Sequence, residues 1–148
     1  MNRRELRTIL LVEDSLADAE MAMDALQEAH LANPVVHVED GVECMDYLNR
    51  TGQWAGREPS EPTVVLLDIK MPRMNGLDVL KAMRADDKLR RIPVVVLSSS
   101  REESDLARSW DLGVNAYVIK PVDVDQFFEA VRMLGQFWAV LNQPPELD

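Results

Sequence analysis

The chain alternates short, mainly apolar runs with stretches whose apolar residues recur every three or four positions, a pattern that predicts strand and helix in turn. Thr8 to Val12 (TILLV) is the first run, stopped by Glu13-Asp14-Ser15. Leu16, Ala19, Met23, Leu26 and His30 follow at helical spacing, with Ser15 as N-cap and Asp18 in the first turn, where negative charge favours the macrodipole. Pro34 to Val38 reads as a second strand, and Gly41 opens a helix in which Val42, Met45 and Leu48 share a face. From Thr51 to Pro62 (TGQWAGREPSEP) glycines and prolines break any period, which predicts a loop of unusual length. Val64 to Leu67 is a third strand. Asn75 then caps a third helix, with Asp78 in its first turn and Leu77, Leu80 and Met83 or Arg84 along it. Asp86 to Arg91 is a charged connection, and Pro93 to Leu97 (PVVVL) a fourth strand. Ser100 and Glu103 match a capping box for a fourth helix that Gly113 ends. Ala116 to Ile119 (AYVI) is a fifth strand, and a last helix runs from about Asp123 towards Leu141 before Pro144-Pro145.

Five strands, each followed by a helix, predict an α/β fold: a doubly wound parallel sheet with helices on both faces, joined by right-handed crossovers. In the flavodoxin-like order 2-1-3-4-5, the first and third strands are neighbours, and their carboxyl ends flank the switch point where ligands bind. Asp68 closes the third strand at that edge. A carboxylate there must either leave the core or meet a cation. Glu13 and Asp14 leave the first strand at the same edge, and Lys120 leaves the fifth. Three converging carboxylates demand a cation, and oxygen donors without histidine or cysteine favour a hard ion such as Mg²⁺ over zinc. The Lys70 carbonyl is a candidate further ligand.

Composition narrows the partners. The 148 residues predict a single domain, with a core over about 6–142 and a short tail at 143–148. A formal net charge of −10 opposes direct binding to nucleic acid or to an acidic membrane surface. The single cysteine, Cys44, and an N-terminus (MNRRELRT) without an apolar signal core disfavour disulfides and secretion, so a cytoplasmic location is expected. No apolar run approaches the roughly 18 residues of a spanning helix, which predicts a soluble chain with no membrane partner. His30, His37 and Cys44 read as helix-end, strand and core residues.

Glu13-Asp14, Asp68 with Met71-Pro72-Arg73-Met74-Asn75-Gly76, Ser98, Tyr117 and Lys120-Pro121 closely resemble the receiver domain of two-component response regulators. The likeness covers nearly the whole chain, and its motifs are specific as an ordered set. It implies that Asp68 accepts a phosphoryl group from a phosphohistidine on a sensor histidine kinase. It also implies that Asp14 contacts Mg²⁺ directly and Glu13 through water, that Lys120 and Ser98 hold the phosphoryl oxygens, and that Tyr117 is an aromatic switch. No turnover of an external substrate is expected beyond the chain's own phosphorylation and autodephosphorylation. Glu13 in the acidic pair and Ser99 after the hydroxyl depart from the commonest pattern of that family. The long Thr51–Pro62 loop and the extended last helix resemble single-domain regulators paired with phytochrome-type kinases.

Only a short tail follows Trp138, so output is expected through protein contact. The last helix carries Val124, Phe127, Phe128, Val131, Leu134, Phe137, Trp138 and Leu141, a set wider than one stripe. It predicts a homodimer through the fourth helix, fifth strand and last helix, or else a longer helix packed on its own core. A phosphorelay intermediate, a phosphate sink and a phosphorylation-independent binding module remain the alternatives. A phosphatase or dehalogenase of the aspartyl-nucleophile type is disfavoured by Lys70, where such enzymes place a second aspartate. A flavin binder is disfavoured because Glu13 and Asp14 would repel a phosphate.

Overall fold

The computed structural model describes residues 7–29, 33–99, 102, 113–126 and 129. Within them the apolar runs form β1 (Ile9–Val12), β2 (Val35–Val38), β3 (Val64–Asp68), β4 (Val94–Ser98) and β5 (Ala116–Ile119). The periodic stretches form α1 (Leu16–Glu28), α2 (Gly41–Asn49) and α3 (Gly76–Arg84). The five strands make one parallel sheet in the order β2-β1-β3-β4-β5, as predicted.

The strands read as continuous apolar runs because both faces of the sheet are covered. Successive side chains point to opposite faces, so Ile9 and Leu11 join one core with Leu66 and Leu97, while Leu10 and Val12 join the other with Val65 and Leu67. The first core is closed by α1 and the second by α2 and α3. The register then fixes the top edge. Val12 lies opposite Leu67 and Val38, Asp68 opposite Leu97, and Ser98 opposite Ile119. The residues that leave β1, β3, β4 and β5 therefore emerge side by side.

Two helix faces differ from expectation. In α1 the buried residues are Ala19, Ala22, Ala25 and Leu26, whereas Leu16 is 68% exposed. Small alanine side chains let the helix lie close to the sheet, and the larger Leu16 at the first turn points away from it. In α2 burial centres on Cys44, Tyr47 and Leu48, with Val42 and Met45 only half-buried. The Tyr47 ring meets Trp54 edge-on, with centroids 4.9 Å apart, and this draws the helix face towards the loop that follows. That loop is not structureless. It contains a short 3₁₀ turn at Gly52–Trp54, and the charged connection before β4 contains another at Leu89–Arg91.

The predicted capping box Ser100/Glu103, the body of the fourth helix, His30 and the apolar set from Phe127 to Leu141 lie outside the described residues. Among those described, no helix is long and apolar enough to cross a membrane.

Candidate functional site

At the end of β1 the Glu13 backbone N–H donates to the Val38 carbonyl at 3.0 Å, and the side chain turns inward, fully buried. Its Oε2 accepts the Ser15 N–H at 3.1 Å. Ser15 caps α1 as predicted, its Oγ accepting the Asp18 N–H at 3.2 Å. His37, taken from sequence as a plain strand residue, places Nε2 2.7 Å from the Glu13 carbonyl oxygen. Asp14 is exposed.

At the end of β3, Asp68 is 3% exposed. The chain then turns sharply. Ile69 N–H donates to the Leu97 carbonyl at 3.3 Å, and Gly76 N–H donates back to the Ile69 carbonyl at 2.8 Å. Gly76 has a specific reason to be glycine, since a Cβ there would run into the Asp68 carbonyl oxygen. Asn75 caps α3, its Oδ1 accepting the Asp78 N–H at 2.9 Å, as expected. Lys70 is exposed within this turn.

At the end of β5 the Lys120 N–H donates to the Ser98 carbonyl at 2.7 Å, and the Lys120-Pro121 peptide is cis. The Lys120 ammonium reaches Glu13 Oε1 at 2.8 Å, Asp68 Oδ1 at 3.1 Å and Asp18 Oδ2 at 3.1 Å. Ser98 is fully buried at the end of β4. Tyr117 is half-buried in β5 against the core on the α2 and α3 side.

The electrostatics follow from three acids sharing one ammonium, with Asp14 beside them. Burial raises the Asp68 carboxyl, the Glu13 charge pushes it the same way and Lys120 offsets part of both, which leaves it at about 7. Burial lowers the Lys120 ammonium, but its contacts with Glu13 and Asp68 outweigh that and push it well up, so it stays charged. Ligand oxygens of Glu13, Asp14 and Asp68 all lie within 4.8 Å of one another. An all-oxygen set with excess negative charge and no histidine or cysteine suits a hard divalent cation.

The structure thus brings together Glu13, Asp14, Asp68 and Lys120, with Ser98 joined to Lys120 through the backbone. It also adds Asp18, which sequence reasoning placed only in the first turn of a helix. The signal was absent locally, because the Asp18–Lys120 contact spans 102 positions.

The family model described as response regulator receiver domain matches residues 9–132. Response regulator Rcp1 of Synechocystis sp. is 33% identical over 132 residues, covering 89% of this chain and 88% of that protein. A structure of Rcp1 in its Mn²⁺-bound form superposes with a TM-score of 0.73 at 32% identity, covering 95% of this chain and 99% of that one. The bacteriophytochrome response regulator RtBRR gives a TM-score of 0.88 at 54% identity, covering 95% of this chain and 84% of that one. The phosphorylated cyanobacterial phytochrome response regulator RcpA gives 0.74 at 39% identity, covering 95% and 99%.

Proposed function

The chain belongs to the response regulator receiver family, and from that premise we propose that it is a stand-alone regulator phosphorylated on Asp68 by the phosphohistidine of a sensor histidine kinase, with Mg²⁺. The observation that carries the proposal is the meeting of Asp68 with Glu13, Asp14 and Lys120 at one edge of the sheet. The relatives support the pairing with a phytochrome-type kinase, since RtBRR and RcpA are described as phytochrome response regulators.

In the proposed reaction an Asp68 carboxylate oxygen attacks phosphorus. The new P–O bond forms as the P–N bond to the kinase histidine breaks, and the electron pair leaves with the imidazole, which takes up a proton. An ionised aspartate needs little activation, so the protein's task is positioning and charge neutralisation. A divalent cation, when bound, neutralises the acids and the equatorial phosphoryl oxygens. Asp14, Asp68, the Lys70 carbonyl and, through water, Glu13 are the residues proposed to hold it. Lys120 Nζ, already 3.1 Å from Asp68 Oδ1, pairs with the phosphoryl oxygens, and the Ser98 hydroxyl hydrogen-bonds to them. Movement of Ser98 towards the phosphoryl group vacates space that the half-buried Tyr117 ring enters, giving a two-state element.

The chain is proposed to act as a single cytoplasmic domain spanning 1–148. Output passes by contact, through a homodimer built on the fourth helix, β5 and the last helix. It turns over no external substrate, and loss of the phosphoryl group occurs by autodephosphorylation. Incubation with Mg²⁺ and acetyl phosphate or phosphoramidate tests the chemistry: a hydroxylamine-sensitive adduct is expected, absent from Asp68→Asn. No adduct on the wild-type chain excludes the mechanism. A monomer at high concentration by sedimentation, with and without phosphorylation, excludes the dimer.

A further inference from the structure

Between Asp68 and α3, residues 69–75 form neither strand nor helix, yet they carry the Lys70 carbonyl. Within the loop the Met74 N–H donates to the Pro72 carbonyl at 2.7 Å, and further ties come from a neighbouring element. Arg73 has φ of 66°, a left-handed conformation that side chains other than glycine adopt reluctantly. Its guanidinium grips one oxygen of a residue on another element, with Nε 2.8 Å and Nη2 2.7 Å from Asp40 Oδ2. The acceptor is itself fixed, because Asp40 caps α2, its Oδ1 accepting the Glu43 N–H at 2.8 Å. Although burial pushes the Asp40 carboxyl up, the Glu43 N–H and the Arg73 guanidinium together hold it below the usual carboxylate range. A second tie lies alongside: the Gly41 N–H donates to the Met74 carbonyl at 3.1 Å, an approach so close that a Cβ on Gly41 would collide with that oxygen.

We infer that the Asp40–Arg73 pair is a clamp that presets the loop after β3, holding the Lys70 carbonyl and the Asp68 carboxylate in the arrangement a divalent cation needs. The inference rests on the cation site proposed above. An exposed ion pair is ordinarily weak. Here the Arg73 side chain is 59% exposed, but both guanidinium contacts converge on a carboxylate whose side chain is only 13% exposed. The two residues lie 33 positions apart, so the pair joins elements that the sequence leaves separate. Neither residue touches the reacting group, and both are positioning residues that act through the loop backbone. An outer partner of this kind tunes metal affinity by orienting the groups that ligate.

Two variants of the full chain break the clamp from opposite sides. Arg73→Gly removes the guanidinium and puts at a positive φ the residue best suited to it. Asp40→Asn keeps an amide oxygen to cap α2 and removes the charge that Arg73 grips. Mn²⁺ affinity is read from the electron paramagnetic resonance of the free ion, and thermal midpoint is read separately without metal. Each variant is expected to bind Mn²⁺ on the order of 10-fold more weakly, and the double variant no more weakly than either single one. The midpoint of Arg73→Gly should be unchanged or raised. Unchanged affinity in either variant, additive losses in the double, or affinity losses that follow a fall in the midpoint would each overturn the clamp. Absence of Mn²⁺ binding by the wild-type chain would instead remove the cation site, and the clamp with it.

Discussion

Lys120 shows how much one side chain can hold. Its ammonium meets Glu13, Asp18 and Asp68, and the first of these is fully buried. Removing one partner of a buried pair leaves the others uncompensated, so Lys120→Gln should destabilise the metal-free protein by about 3 kcal/mol. Loss of a preorganised positive group should also slow phosphorylation of Asp68 on the order of 100-fold. Urea unfolding and phosphoramidate kinetics measure the two effects, and wild-type behaviour in both would remove Lys120 from the site. Cys44 poses the opposite case, a titratable group with no functional partner. Burial, with smaller contributions from the Asp40 and Glu43 charges, raises its thiol to about 12. The folded state thus keeps its proton at a pH where the unfolded chain releases it, and the linked stability is present below about 9 and lost as pH rises towards 12. Unfolding free energy between pH 8 and 10 should fall more steeply for the wild-type chain than for Cys44→Ala; equal slopes would refute the assignment. The native thiol should also react with iodoacetamide far more slowly than the urea-unfolded one.

At the scale of an element, the Thr51–Pro62 segment is held by Arg57. The guanidinium lies 4.0 Å from the Tyr47 ring centroid and donates to the carbonyls of Tyr47, Glu58 and Ser60 at 2.8–3.0 Å. Arg57→Ala should cost about 1 kcal/mol of global stability and make the segment the first site of limited proteolysis. Arg57→Lys should rescue little, because a point charge cannot donate in the same planar fork. A proteolysis pattern unchanged in both variants would refute the role. The same segment marks where the sequence stops being informative. Glycines and prolines announced a loop correctly, but its order comes from a stacked arginine and three carbonyls, none of which has a period. Ser15 and Asn75 were readable as caps because capping is decided within three residues. The inner strands β1, β3 and β4 were readable because they are buried throughout, and so apolar up to the Asp68 and Ser98 that end two of them, while the half-buried β2 and β5 still show as short apolar runs. The α1 face was misjudged at Leu16 for a related reason: size suggested burial where the close-packed positions are alanines. Asp18 on Lys120 and Arg73 on Asp40 are contacts between elements, and only the assembled sheet edge brings them together.

For the whole molecule, the two cores and the acidic edge pull in opposite directions. Apolar side chains close both faces of the sheet, while Glu13, Asp14, Asp18 and Asp68 crowd its carboxyl edge around one ammonium. Sites arranged for function are commonly less stable than they could be. Asp68 bears part of that cost, since its carboxyl is raised by burial and by the Glu13 charge. Replacing it with an uncharged amide of similar shape leaves Lys120 with Glu13 and Asp18, a better balanced group. Metal-free Asp68→Asn should therefore be more stable than the wild-type chain by about 1 kcal/mol. A cation that binds only the folded state reverses the order. At a hundredfold excess over its dissociation constant Mg²⁺ adds about 2.7 kcal/mol, a rise in midpoint on the order of 5–10 °C for a chain of this size. Most of that rise should disappear in Asp68→Asn, so that the variant is the more stable protein in chelator and the less stable one in saturating Mg²⁺. Thermal unfolding under the two conditions reads the crossover directly. If wild type and variant keep the same order in both, the acidic edge is not a cation site.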